Sequence, residues 1–170
     1  KILEHNINLM LQKGARVIVL ACNSATVSSV NFLRKKFNVP IVGVVPAIKP
    51  AAEMTKTKKI AIFATPITSM SKVQDELIKR YCQDCEIYKI SFKDLAELIE
   101  KGKTKMYTYE VDAVWQKYAD KNIDVIVLGC THYTLIKDQI QKIVGKNIRI
   151  IDSNKAVAKQ VKRIYDKIKR

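Results

Sequence analysis

The sequence predicts an α/β fold of two pseudo-symmetric lobes, each a mainly parallel sheet flanked by helices, with a cleft between them. Three observations carry that expectation. Apolar runs of strand length alternate with segments of helical spacing along the chain, the order expected of parallel sheets. One such run occurs twice, as VIVLACNS (Val17 to Ser24) and VIVLGCTH (Val125 to His132). Each copy ends in a small residue, a cysteine and two polar residues. The carboxyl end of a buried parallel strand is where ligands bind in open α/β sheets.

Each element follows in order. Glu4 to Gln12 has helical spacing, and Gly14 stops it. Arg16 to Cys22 is a buried strand, Ala25 to Phe37 a helix, and Val39 to Val45 a strand with Pro40 near its start. Pro46 and Pro50 punctuate a short helix, Ala47 to Met54, and Pro46 marks the crossing between lobes. Lys59 to Ala64 is a strand, Ser69 to Tyr81 a helix, and Glu86 to Ser91 a strand. Phe92 to Lys101 is helical. Lys105 to Asp120 is a longer helix carrying Tyr107, Val111, Val114, Trp115 and Tyr118. Asp124 to Cys130 repeats the first strand. Leu135 to Val144 is a helix closed by Gly145, and Ile148 to Asp152 is a strand. Lys155 to Ile168 is the final helix, with Asp152 or Ser153 as its cap. The expected first lobe is residues 1–45, joined by the returning stretch 148–170, and the second is residues 46–147.

With 170 residues and a 48% hydrophobic share, the chain is long and apolar enough to bury a core. No apolar run has the length of a membrane span or the shape of a signal peptide. A soluble cytoplasmic protein is the expectation. The net charge of +15 raises nucleic acid as a partner. Only six of the 31 basic residues are arginines, however, and base readout and bidentate phosphate contacts favour arginine. The one dense basic stretch, Lys155 to Arg170, interleaves Val157, Val161, Ile164 and Ile168 at helical spacing. It reads as the solvated face of a packed helix, and nucleic acid is disfavoured.

Four cysteines are too few for a disulfide scaffold. Cys82-Gln-Asp-Cys85 is a lone CxxC with no second pair to complete a zinc site. It follows a helix instead of opening one, so it reads as a turn with incidental thiols and not as a redox motif.

The two strand ends are the candidates for chemistry. After Cys22 a helix begins, and its unpaired N–H groups and positive dipole end favour anions, carboxylates and an anionic sulfur alike. Asn23, Ser24 and Thr26 add short polar side chains. After Cys130 the same layout carries Thr131 and His132, one of two histidines. His132 can exchange a proton with Cys130 or pair with a substrate carboxylate. His5 has no acid or nucleophile near it in sequence. A cysteine hydrolase has no use for a second strand-end thiol. A metal held by Cys22, Cys130 and His132 is possible in number but has no recognisable supporting shell. Proton transfer at a carbon centre uses both thiols, one to remove the proton and the other to return it from the opposite face.

VIVLACNSAT and VIVLGCTHYTLI resemble the two cysteine signatures of glutamate racemases, in the aspartate/glutamate racemase superfamily. The resemblance runs through most of the chain. VGVVPAIKPA (Val42 to Ala51) resembles the family's crossing segment. Ala64-Thr65-Pro66-Ile67-Thr68-Ser69-Met70-Ser71 resembles its Thr-rich loop, Glu100 a glutamate after an aliphatic run, and Ile151-Asp152-Ser153 its late strand end. The resemblance implies interconversion of L- and D-glutamate with no cofactor and no metal, the D-isomer feeding peptidoglycan synthesis. Cys22 would serve one face of Cα and Cys130 the other, with His132 assisting Cys130. Asn23, Ser24, Thr131 and His132 would hold the substrate, and Thr65 and Thr68 would line the cleft. The implied partner is the small-molecule substrate, with no membrane and with a homodimer left open. Superfamily members acting on aspartate or another small acid are the near alternative, and a basic nucleic-acid-binding module is the alternative of another class.

The chain departs from the family at its start. An Asp-Ser-Gly loop and a Tyr-Gly pair precede the first cysteine in the family, and neither occurs before Cys22. The expectation is a racemase lacking its amino-terminal segment, weakly active or inactive as the 170-residue chain.

Overall fold

Alternating apolar and small residues make strands wherever both faces can be covered. A computed structural model describes residues 1–168. Lys169 and Arg170, the end of the basic stretch from Lys155, lie outside the described residues. The strands are β1 (Ile18–Leu20), β2 (Ile41–Gly43), β3 (Lys59–Ala64), β4 (Glu86–Ser91), β5 (Val125–Gly129) and β6 (Arg149–Ile151). The helices before β5 are α1 (Ile2–Gln12), α2 (Asn23–Lys36), α3 (Ile48–Met54), α4 (Pro66–Ser69), α5 (Lys72–Tyr81), α6 (Leu95–Glu100) and α7 (Thr104–Trp115). After it come α8 (Lys137–Val144) and α9 (Asn154–Ile168).

Two parallel sheets result. One has two strands, β1 and β2, and the other has four in the order β4-β3-β5-β6. In the larger sheet β5 is flanked on both sides and covered on both faces, so its five residues are all buried. Side chains alternate across the pleat. Ala61, Phe63, Ile126 and Leu128 pack with Leu95, Tyr107, Trp115 and Ile140 on one face. Ile60, Ile62, Val125 and Val127 pack with Ile48 and Ala51 on the other. The smaller sheet has one such layer, where Ile18, Leu20 and Ile41 meet Ile7, Val30 and Leu33.

Buried polar side chains fasten these layers. Thr26, on the first turn of α2, donates to Leu20 O at 3.3 Å and accepts from Val44 N–H at 3.1 Å, locking α2 to the strand ends. Gly43 makes room for it, since a Cβ there would sit 2.5 Å from Thr26 Cγ2. Asp124, at the start of β5, accepts from Thr55 Oγ1 at 2.6 Å and from the amides of Lys56 and Thr57 at 2.6 and 3.2 Å. Partial burial pushes this carboxyl up, but those hydrogen bonds prevail and hold it below its ordinary value.

Several element boundaries differ from the sequence reading. Strands β1 and β2 are three residues each, shorter than Arg16 to Cys22 and Val39 to Val45. The helix expected over Ser69 to Tyr81 is two helices. Pro66 opens α4, and the Ser71 hydroxyl caps a new helix by accepting from Gln74 N–H at 3.2 Å. Helix α7 stops at Trp115, where hydrogen bonds tighten to the i to i+3 pattern through Lys117, Tyr118 and Lys121. The stretch expected to return to the first lobe divides, over its described residues 148–168, between the two sheets. Its strand β6 pairs in parallel with β5, extending the larger sheet, while α9 packs against β2. The final cap is Asp152, whose Oδ1 accepts from Asn154 N–H at 3.0 Å. No helix among the described residues is long and apolar enough to cross a membrane.

Candidate active site

Parity along β5 decides where Cys130 points. Ile126 and Leu128 face the layer of α6 to α8, and Cys130, two residues on, keeps that face and joins its core. Gly129 sits in a tight spot, since a Cβ there would lie 3.2 Å from Ala64 Cβ and 3.3 Å from Pro46 Cγ and its neighbours would have to give by a few tenths of an ångström. The chain then turns tightly, with Tyr133 N–H donating to Cys130 O at 3.2 Å and Thr134 N–H to Thr131 O at 3.3 Å. The turn continues as a 3-10 helix, His132–Ile136, where the sequence suggests the α-helix would start at Leu135.

This turn brings His132 back to the thiol, with Nδ1 3.9 Å from Cys130 Sγ. Its Nε2 is 2.6 Å from Oε1 of Glu100, the last residue of α6. A carboxylate only accepts, so Glu100 assigns the ring proton to Nε2 and leaves the Nδ1 lone pair facing the thiol. Burial pushes the Cys130 thiol up, the backbone amides of His132 and Tyr133 pull it down, and the charge of a Cys22 thiolate would push it up again.

Cys22 stands differently. It is the N-cap residue of α2, in extended conformation, and its exposed side chain makes no capping bond. Asn23 follows and is buried, 2% exposed, with Nδ2 lacking any hydrogen-bond partner. Ser24 Oγ lies 2.8 Å from Thr65 Oγ1 and 3.2 Å from Thr68 Oγ1. Thr65 and Thr68 are themselves 3.3 Å apart, and the Thr65 side chain caps α4.

Two contacts join the strand ends. Thr131 Oγ1 donates to Ala21 O at 3.1 Å, tying the residue after the second cysteine to the residue before the first. The Ser24, Thr65 and Thr68 hydroxyls tie α2 to α4. Beside them runs an open groove of about 690 Å³ lined by Val19, Ala21, Thr131, Val157 and Tyr165. A smaller recess of about 200 Å³ opens at Thr131, His132 and Leu135.

All eight residues singled out from sequence thus sit at the ends of β1, β3 and β5. His5 is exposed on α1, away from them. What sequence reasoning missed is the pairing of Glu100 with His132. The available signal was positional, a glutamate closing a short helix after Leu98 and Ile99. Among the described residues, no cluster of three or more His, Cys, Asp or Glu is arranged to hold a metal.

Comparison with known proteins identifies the family. The family described as Asp/Glu/hydantoin racemase matches residues 2–161. A glutamate racemase of Shewanella sp. (strain MR-7) is 36% identical over 160 residues, covering 91% of this chain and 58% of its own length. One from Herpetosiphon aurantiacus is 38% identical over 159 residues, covering 92% and 62%. The crystal structure of Escherichia coli glutamate racemase, in complex with L-glutamate and the activator UDP-MurNAc-ala, superposes with a TM-score of 0.82 at 32% identity. That match covers 91% of this chain and 60% of the other. The chain therefore spans about three-fifths of the length of the relatives it matches. By the extent of the match, residues 2–161, the chain belongs to the Asp/Glu/hydantoin racemase family.

Proposed function

We propose that this chain interconverts L- and D-glutamate without a cofactor, by proton transfer at Cα between two thiols, and so supplies D-glutamate for peptidoglycan. The observation that carries the reading is the Thr131 to Ala21 hydrogen bond, which draws the two cysteine-bearing strand ends together. Cys130 is the base with a built-in relay. His132 Nδ1 takes its proton, and the Glu100 carboxylate stabilises the imidazolium that forms. Cys22 serves the opposite face of Cα. The unpartnered Asn23 amide, the first turn of α2 and the Ser24, Thr65 and Thr68 hydroxyls hold the substrate carboxylates. An unpaired buried donor costs about 1–3 kcal/mol, and a carboxylate oxygen would satisfy it.

The test is loss of the Cα proton from glutamate in D2O, followed by proton NMR from each enantiomer. Slow loss from both is expected, and loss from neither overturns the reading. The 170-residue chain should turn over more slowly than the Escherichia coli enzyme assayed beside it, because no acid or base contacts Cys22 among the described residues. Equal turnover would overturn that part.

A further inference from the structure

The CxxC turn is a pair of thiols that the proposed chemistry leaves unused. Cys82 is the C-cap residue of α5, and Cys85 N–H donates to Cys82 O at 3.1 Å. An i to i+3 turn of this kind keeps its end Cα atoms within 7 Å, inside the range a disulfide spans. Cys82 belongs to the apolar cluster that contains Ile48, Ile60 and Val125, and Cys85 packs against the same cluster. Cys82 is buried, whereas Cys85 is partly open to solvent. Asp84 between them is held by Lys58 Nζ at 2.8 Å and accepts from Cys85 Sγ at 3.5 Å. The Glu86 amide donates to Lys58 O at 2.7 Å, so the turn is clamped at both ends.

We propose that Cys82 and Cys85 are a modification site, a dithiol that closes to an intramolecular disulfide by exchange with a low-molecular-weight disulfide. Cys85 is the entry thiol. Deprotonated, it attacks one sulfur of the small disulfide. That S–S bond breaks and the first small thiol leaves with a proton. Cys82 then loses its proton and attacks Cys85 Sγ, the mixed disulfide breaks, and the second small thiol leaves. The two cysteines are oxidised by two electrons, and one small disulfide is reduced to two thiols. Burial first, and Cys85 second, push the Cys82 thiol up to about 11. A thiol with a high pKa is a slow attacker at neutral pH and a poor leaving group afterwards. The site should therefore close slowly and open slowly, unlike a catalytic CxxC at a helix start.

The experiment equilibrates the 170-residue protein with mixtures of oxidised and reduced glutathione, then acid-quenches, alkylates and maps tryptic peptides by mass spectrometry. One peptide, Tyr81 to Lys89, carries both cysteines. In the unmodified chain it should lose two hydrogens and resist alkylation. Cys82→Ser should instead retain glutathione on Cys85. Closure should accelerate about tenfold per pH unit between pH 7 and 9, as the Cys82 thiolate fraction grows. Free Cys82 and Cys85 at every glutathione ratio would overturn the proposal, as would a stable glutathione adduct on Cys85 in the unmodified chain. Neither result depends on the racemase reading, because the measurement contains no glutamate.

Discussion

The same four residues, VIVL, end at Cys22 in one sheet and at Cys130 in the other, and the two settings are unlike. Val127 is fully buried on β5, while Val19, its counterpart on β1, is 39% exposed. Sequence is constant between them, so position in the sheet makes the difference. Strand β5 has neighbours on both edges, whereas among the described residues β1 is bonded only to β2. The cysteines inherit these settings. Cys130 is 7% exposed beside an imidazole and a carboxylate. Cys22 is exposed at a helix start, near hydroxyls and an amide. A repeated strand therefore yields two thiols with different equipment, one carrying its own relay and the other relying on its helix end.

The largest expected effect tests whether the two ends are halves of one centre. Cys130→Ala and Cys22→Ala should each lower the rate of Cα proton exchange by about 10³-fold, the scale of a lost general acid or base. If Cys22→Ala keeps its rate, the duplication is a matter of fold alone and Cys130 with His132 is the whole site.

The thiols should next separate by reactivity. Iodoacetamide at pH 8 should modify Cys22 on the order of 100-fold faster than Cys130, since reaction needs an accessible thiolate. Burial opposes ionisation of Cys130. Because its folded value lies above the ordinary thiol value of 9.0, its modification should still be accelerating with pH beyond 9, where that of an ordinary thiol levels off. Equal rates at pH 8, read by mass spectrometry of the two peptides, would mean that the settings converge in solution.

The strands themselves should differ in stability. Val127→Ala removes methyls from a filled core and should cost about 2 kcal/mol. Val19→Ala, on a face open to the groove, should cost about 0.5 kcal/mol or less. Urea midpoints of the two variants measure this directly. A Val19 cost equal to that of Val127 would show that something covers the β1 face in solution.

Much of this was legible beforehand because periodicity and local chemistry carry it. The apolar run Val125 to Gly129 reads as a buried parallel strand, and in the larger sheet all five of its residues are buried. The places that were misread depend on contacts distant in sequence. Nothing near Ile148 to Asp152 says that this strand prefers β5 to the smaller sheet, since its partner is chosen by the apolar face it must cover. The break at Met70 was readable in principle, from Pro66 and Ser71 as paired start signals, but helical spacing on both sides masked it. Glu100 stands out in the sequence only through resemblance. Its partner, His132, is 32 residues away, and only the fold places the end of α6 over the turn after β5.

That pairing gives the mildest prediction. Glu100 is exposed, so its hydrogen bond to His132 is screened by water and worth less than a buried one. Glu100→Gln keeps an acceptor for Nε2–H but removes the negative charge that stabilises an imidazolium. Proton exchange should fall about tenfold, the loss lying in kcat with KM nearly unchanged, because this carboxylate serves the imidazole and not the substrate. Glu100→Asp should recover part of the rate if the charge is what counts. The same two substitutions should leave iodoacetamide modification of Cys22 untouched while altering that of Cys130. If the Cys22 rate moves equally, Glu100 acts through the whole fold, and the relay does not belong to one strand end alone.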